Sequence, residues 1–559
     1  MIAIAQFLKN FGRSVILTSV VVTGLVGGVR WLGGLEGMEL GMYDQLLRSR
    51  PDEGPDERLL LVAITEQDLQ TRKEYPITDG TLAQLLNKIQ EYKPRAIGID
   101  IIRDIPIGDK KGRVALQKVL KESDNLIAVC KLSSENEPGI AAAPGVPEER
   151  VGAADLPQDP GGTIRRSSLL ANPTPPKVPP PSKHLCNITD KENQVPSLSF
   201  QLAMIYLEAG GIKPEEADKG NKGAGAIKIG PTVFRRLSED AGGYRNADAG
   251  NYQLMINYRS AKNSLDQVSL SDVLKGKVAP DLIKDRVVLV GYTAPIVKDD
   301  FYTPYSGGLK DDQTMPGVVI HAQNVSQILS AVENKRPLIW YWTKPVEWLW
   351  IFGWSLVGGT LAWGVKRLWI FGVGVVVALG GLSGICYFLF LQGGWIPLIP
   401  PALALVPTAI VVVFVVNAKG IYQTVKKLIL NIEIDEAKKQ QQVAAITESE
   451  TFTELEKKAQ ELRNRKRDKS ARDVNRTNSE TEETPPTPEV AEPPEAEDYF
   501  QQLQQQGKKL RKTEEPSNSS ETEEVLPTSE ETASPEEDDY FQQLQKKGKR
   551  YRKNDDQSN

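Results

Sequence analysis

The chain has 559 residues, enough for several domains, and its formal net charge of -5 exerts no global pull toward nucleic acid. That average conceals a sharp division: residues 346–417 are almost entirely apolar, whereas everything after Lys419 is polar and rich in Glu, Gln, Pro, Ser and Thr. The pattern excludes a purely soluble chain and describes a membrane protein with a large folded part and a long polar tail.

The first element is the uncharged run "VILTSVVVTGLVGGV" at residues 15–29. With its flanks it approaches the roughly 20 residues needed to cross a bilayer core. Lys9 and Arg13 precede it, and no small-x-small cleavage site follows, so an uncleaved anchor is favoured over a signal peptide.

Beyond it, short β-branched runs alternate with amphipathic stretches. "RLLLVAI" (58–64) is a predicted strand, and a helix over 78–92 places Leu82, Leu85, Leu86 and Ile89 on one face. "RAIGIDII" (95–102) and "NLIAVC" (125–130) are further strands, separated by a helix through Val114 and Leu120. Residues 197–210 form a helix ended by glycine, 251–258 and 286–292 give more strands, and 315–332 the last helix of this part. Repeated strand–helix–strand units imply an α/β domain with a mostly parallel sheet covered on both faces. The proline- and glycine-rich stretches 135–150, 172–184 and 210–226 are expected to be loops.

The order "MELGMYDQLLRSRP", "LLLVAITEQDL", "AIGIDI", "INYRS", "VSLSDVLKGKV", "KDRVVLVGYTAPIVKDDFYTP", "MPGVVIHAQNVSQIL" resembles the CHASE domain of type 2 over residues 35–335. Such domains are bacterial sensory extracellular modules associated with cyclases and histidine kinases. The closest likeness is to cyanobacterial members. The resemblance implies that a signal from outside passes to a cytoplasmic output. One departure is plain: where many members carry a "WPWPR"-like motif, this chain has "EYPITDGT" at 74–81.

Three more apolar runs follow at 346–365, 368–391 and 396–416, with Trp348, Trp350, Trp369 and Trp395 near their ends. Four transmembrane helices are therefore expected. Lys9 and Arg13 hold the N-terminus in the cytoplasm, and four crossings place Lys366, Arg367, Lys419, Lys426 and Lys427 on the same side. The expected organisation is a cytoplasmic stub and anchor (1–33), an extracytoplasmic sensory domain (34–344) and three transmembrane helices (345–417). A cytoplasmic helical segment (418–470) and a largely disordered C-terminal tail (471–559) complete it. The protein is thus placed in the plasma (inner) membrane as a multi-pass chain with both termini cytoplasmic. Cys130 and Cys186 fall in the outer part and are a candidate disulfide, the alternative being two separate buried thiols.

In open α/β sheets ligands sit beyond the carboxyl ends of the parallel strands. Thr65 and Glu66, Asp100, and Gly291, Tyr292 and Thr293 occupy such ends and are the candidate small-molecule site, although Asp100 could simply cap a loop. The adjacent Asp299 and Asp300 look catalytic at first sight, but on an extended segment their side chains diverge. Tyr292, Phe301, Tyr302 and Tyr305 then close the end of the core. With only two histidines, His184 and His321, and no zinc spacing, nucleophile elbow, Walker A loop or kinase signature, neither enzyme, metal nor cofactor is expected.

Residues 418–438 can continue as a cytoplasmic helix, though their heptads are too short and imperfect for a coiled coil, and 454–469 form another helix. Within the tail "DYFQQLQQQGKKLRK" (498–512) returns as "DYFQQLQKKGKRYRK" (539–553), 41 residues later. Tyr499, Phe500 and Leu503, with Tyr540, Phe541 and Leu544, are candidate docking faces for a cytoplasmic protein. A duplication without selected role, or basic runs resting on lipid headgroups, are the alternatives. Two functions remain: a membrane sensor relaying an outer signal through tail contacts, with a homodimer conceivable, or an envelope structural or assembly protein docking a partner.

Overall fold

The computed structural model of the protein describes residues 12–190, 192–217, 226–307, 313–365, 367–416, 439–444 and 450–474. The chain divides into two units, Met1–Gln440 and Gln441–Asn559. In the second, Glu450–Val474 is a helix on which Leu455 and Leu462 are exposed. The tail residues Tyr499, Phe500, Leu503, Tyr540, Phe541 and Leu544 lie outside the described residues, as do Lys9, Lys366, Lys419, Lys426 and Lys427.

The first unit is built on strands β1 (Leu59–Ile64), β2 (Ala96–Asp100), β3 (Leu126–Cys130), β4 (Val151–Ala153), β5 (Asp266–Ser269) and β6 (Val287–Tyr292). They form one sheet in the order β5-β1-β6-β2-β3-β4, and each neighbouring pair is parallel. Alternation along β1 divides the core in two. Leu60, Val62 and Ile64 face helices Asp79–Glu91, Lys110–Glu122 and Leu270–Leu274, while Leu59, Leu61 and Ala63 face helices Leu198–Glu208 and Gly317–Val332. Both faces are buried, which explains the near-continuous apolar strands.

Helix starts follow from single polar residues. Thr65, Thr78, Asp109, Ser197 and Ser269 each accept a backbone N–H from the first turn of the helix they precede. Gly98 in β2 lets helix Leu198–Glu208 approach the sheet closely: a Cβ there would stand 2.5 Å from Leu202 Cδ1. Even alanine at 98 requires the Leu202 side chain to move.

The run at 251–258 was expected in the parallel sheet and is not there. Tyr252–Met255 pairs antiparallel with Arg166–Ala171, which also pairs with Val195–Pro196, in a separate three-stranded sheet. The 210–226 stretch, expected as loop, contains the short strand Pro214–Glu216, paired with Ile227–Ile229.

Among the described residues three helices are long and apolar enough to cross a membrane: Ser14–Trp31, Trp369–Leu391 and Ile399–Val416. The expected count of four is corrected here. Helix Lys344–Gly364 has the length, but four tryptophans, four glycines, Lys344 and Glu347 reduce its apolarity. It packs between two of the others: Ile351 is buried with Val22 and Ala404, and Ser355 Oγ lies 2.7 Å from Thr408 Oγ1.

Candidate functional site

A cavity of about 360 Å³ opens beyond the carboxyl ends of β2 and β6, walled by the segment from Val297 to Phe301 and the start of helix Gly317–Val332. Asp100 enters it as the last residue of β2, Tyr292 as the last of β6, and Asp299 from the turn after the Pro295–Val297 helical turn. Tyr75, Arg103, Lys298 and His321 complete the polar lining.

Of the six residues proposed from strand ends, Asp100 and Tyr292 line this cavity. The others do different things. Thr65 Oγ1 donates to Asp68 Oδ2 at 2.7 Å and accepts from Asp68 N at 3.2 Å, closing a capping box. Glu66 Oε1 accepts from Gln70 on the same helix. Gly291 faces Val318, whose Cβ would lie 2.7 Å from an added Cβ, and Thr293 N donates to Ile64 O at 3.1 Å.

The adjacent acids part as an extended segment requires. Asp300 opens a two-residue strand paired with Pro316, while Asp299 lines the cavity and its carbonyl accepts from Gly317 N at 2.9 Å. Its carboxyl therefore shares the cavity with Asp100, an acid from a different segment. Phe301 and Tyr305 pack, as expected of that aromatic group, against a core cluster containing Tyr43 and Tyr258.

Burial pushes the Asp100 carboxyl up to about 7. Asp299 is likewise pushed up to about 7, chiefly by burial and then by the Asp100 charge, with His321 opposing. His321 moves the other way, to about 4, because burial disfavours its cation. Its Nε2 lies 3.2 Å from Ala154 O, a pure acceptor, so Nε2 carries the proton; Nδ1 then accepts from Ser199 Oγ at 3.0 Å. Both nitrogens are committed, and the imidazole is a fixed neutral wall.

The raised carboxyl gives a signed expectation. An unfolded aspartate ionises near 3.8 and folded Asp100 near 7. Its charged form therefore costs stability that is absent below the lower value and fully present above the upper one. Asp100→Asn should stabilise the chain by about 1–3 kcal/mol at about pH 8 and by almost nothing at about pH 4. Thermal melts at the two pH values check this; an equal effect at both contradicts it.

A second cluster joins the domain to the membrane helices, and sequence reasoning missed it. Arg30, in the last turn of the first helix, donates to Glu39 Oε1 at 2.7 Å, to Glu347 Oε2 at 2.6 Å and to Gly242 O at 2.8 Å. Lys344 Nζ adds contacts to Glu347 Oε2 at 3.2 Å and Gly242 O at 3.1 Å. Its sequence signal was a lone arginine ending an apolar run, opposite acids at 39 and 347. Beside it Trp395, between the last two helices, packs on Tyr43 and Tyr244 with ring centroids 4.9 and 5.7 Å away. Tyr244 donates to Asp159, which binds Arg165 and Arg166, and Arg165 holds Asp44.

The molecule is thus a three-layer α/β domain set on apolar helices, with a polar cavity at its strand ends. The CHASE2 domain family model matches residues 21–360, more than half of the chain, and the protein belongs to that family of extracellular sensory domains. No curated protein and no solved structure matches the chain.

Proposed function

We propose that the protein is a membrane receptor whose cavity takes a small molecule outside the cytoplasm and whose tail passes the signal on by protein contacts. The observation that carries this is the pair of carboxyls, Asp100 and Asp299, that face one cavity at the ligand-binding end of a parallel sheet and accept no hydrogen bond from a described residue. We read the site as binding rather than catalysis, since its imidazole has both nitrogens engaged and the hydroxyl beside it, Ser199, is buried and does not line the cavity.

Contact continuity supports a route to the membrane. Phe301 lines the cavity, Tyr302 O accepts from Ile164 N at 2.8 Å, and the neighbouring Arg165 grips Asp44 and Asp159 beneath Tyr244 and Trp395. Helix Lys344–Gly364 packs its small and polar face inward on its neighbours. The basic residues after the last apolar run, Lys419, Lys426 and Lys427, favour a cytoplasmic tail, where the duplicated "DYFQQLQ" units are the proposed docking sites.

The test uses the small-molecule fraction of an extract of the host cells. It should raise the melting temperature of the detergent-solubilised chain by several degrees. Ile102→Trp, which blocks the cavity rim, should abolish the rise. An equal rise in both proteins, or none in either, overturns the receptor reading and favours an assembly protein.

A further inference from the structure

We infer that the cavity binds a small zwitterion of the amino-acid type, its ammonium between Asp100 and Asp299 and its carboxylate toward Arg103. This rests on the reading of the cavity as a ligand site and adds the ligand's chemical class.

The cavity is charged asymmetrically. Asp100 and Asp299 are close enough that one charge disfavours the other, and neither carboxyl is paired with a described donor. An ammonium placed there relieves the repulsion and supplies donors to both.

Arg103 points to the other end of the ligand. It is 3% exposed, and its Nε, Nη1 and Nη2 have no hydrogen-bond partner among the described residues. Asp79 faces it as an ion pair, with 3.8 Å between Nε and Oδ1, too long for a hydrogen bond. A buried guanidinium with three unmet donors is costly unless something pairs with it. Arg103 forms part of the cavity wall and lies near the Tyr292 hydroxyl, whose pKa is raised by burial and pulled back first by the Ile77 N–H and then by Arg103. A planar carboxylate is the natural partner of such a fork.

Asp100 ends β2 and Arg103 follows three residues later in the loop leaving it, so a single segment sets the two opposed charges. Lys298, exposed at the mouth, is the remaining charged group of the lining. Ile102, Leu156 and Phe301 offer apolar wall to a side chain. A volume of about 360 Å³ stands near the small end of the roughly 300–1,000 Å³ typical of ligand sites. An apolar amino acid has the required size and charges.

The experiment titrates the full-length chain in detergent, by calorimetry at about pH 8, with three probes that separate the two ends. L-leucine carries both charges, 3-methylbutylamine only the ammonium, and 4-methylpentanoate only the carboxylate. Leucine should bind at least tenfold more tightly than either single-charge probe. Asp299→Asn should weaken leucine at least tenfold, and Arg103→Gln should weaken leucine while leaving the amine unchanged; circular dichroism confirms that each variant is folded. An amine or an acid that binds as well as leucine overturns the zwitterion. So does failure of all three probes; if the host extract still shifts the wild type and not Ile102→Trp, the receptor reading survives that failure.

Discussion

Arg30→Met should destabilise the full-length chain by about 3–5 kcal/mol, the cost typical of removing one partner from a buried ion pair. Glu39 and Glu347, 3% and 0% exposed, then keep two carboxylates facing each other, with Lys344 the one remaining cation of the cluster. Burial already raises the Glu39 pKa, and loss of the arginine removes the hydrogen bond and charge that hold it down. Two outcomes should accompany the loss. The triple change Arg30→Met, Glu39→Gln and Glu347→Gln should recover most of it, since neutral partners need no counter-charge. The single variant should also melt later as pH falls, because protonating the stranded acids restores neutrality. Melts of the three proteins across pH test this; a single variant as stable as wild type removes the cluster as the link between domain and membrane helices.

The second large effect concerns Cys130 and Cys186, which are bonded with Cα atoms 6.4 Å apart and a sequence separation of 56. Closing a loop of that length restricts the unfolded chain by about 4 kcal/mol in the chain-entropy account. The bond also pins β3 to the turn Leu185–Asn187, and both sulfurs sit in a small cluster with Leu132, Val151, Ala171 and Val195. Cys130→Ser combined with Cys186→Ser should lower stability by about 2–5 kcal/mol. Reducing agent should bring the wild type toward the variant's melting temperature and leave the variant unmoved. Identical melts of oxidised wild type and double variant contradict this.

Much of the fold was legible because each signal was local. β1 and β6 are unbroken apolar runs, and Thr78 and Ser197 announce their helices by capping chemistry. What was not legible depended on distant partners. Tyr252–Met255 has the same apolar character as a central strand, yet it pairs with Arg166–Ala171 in another sheet; a buried strand does not state its neighbour. β5, "DQVS", is an edge strand too short and polar to stand out. Helix Lys344–Gly364 looked like the other spans, but its glycines and hydroxyls serve close packing with neighbouring helices.

The site divides in the same way. The strand-end rule located Asp100 and Tyr292, because ligand position in parallel sheets follows from topology. It also selected Thr65, whose hydroxyl is spent on a helix cap. The divergence of Asp299 and Asp300 was a local fact and could be read. That Asp299 meets Asp100 depends on β6 lying next to β2, a pairing no spacing reveals. Arg103 and His321 are ordinary on a loop and a helix until burial is known.

Movement of the membrane helices on occupation of the cavity is the proposed relay. It is tested most directly by spin labels at Leu17 and Trp369, both exposed on apolar helices, introduced as cysteines on a Cys386→Ser background. Electron–electron distance measurements on the full-length chain in lipid nanodiscs, with and without the host's small-molecule extract, report the spacing of the two helices. The distance distribution should shift in the wild type and stay fixed in Ile102→Trp. An unchanged distribution in a wild-type sample whose melting temperature the same extract has raised would contradict the account.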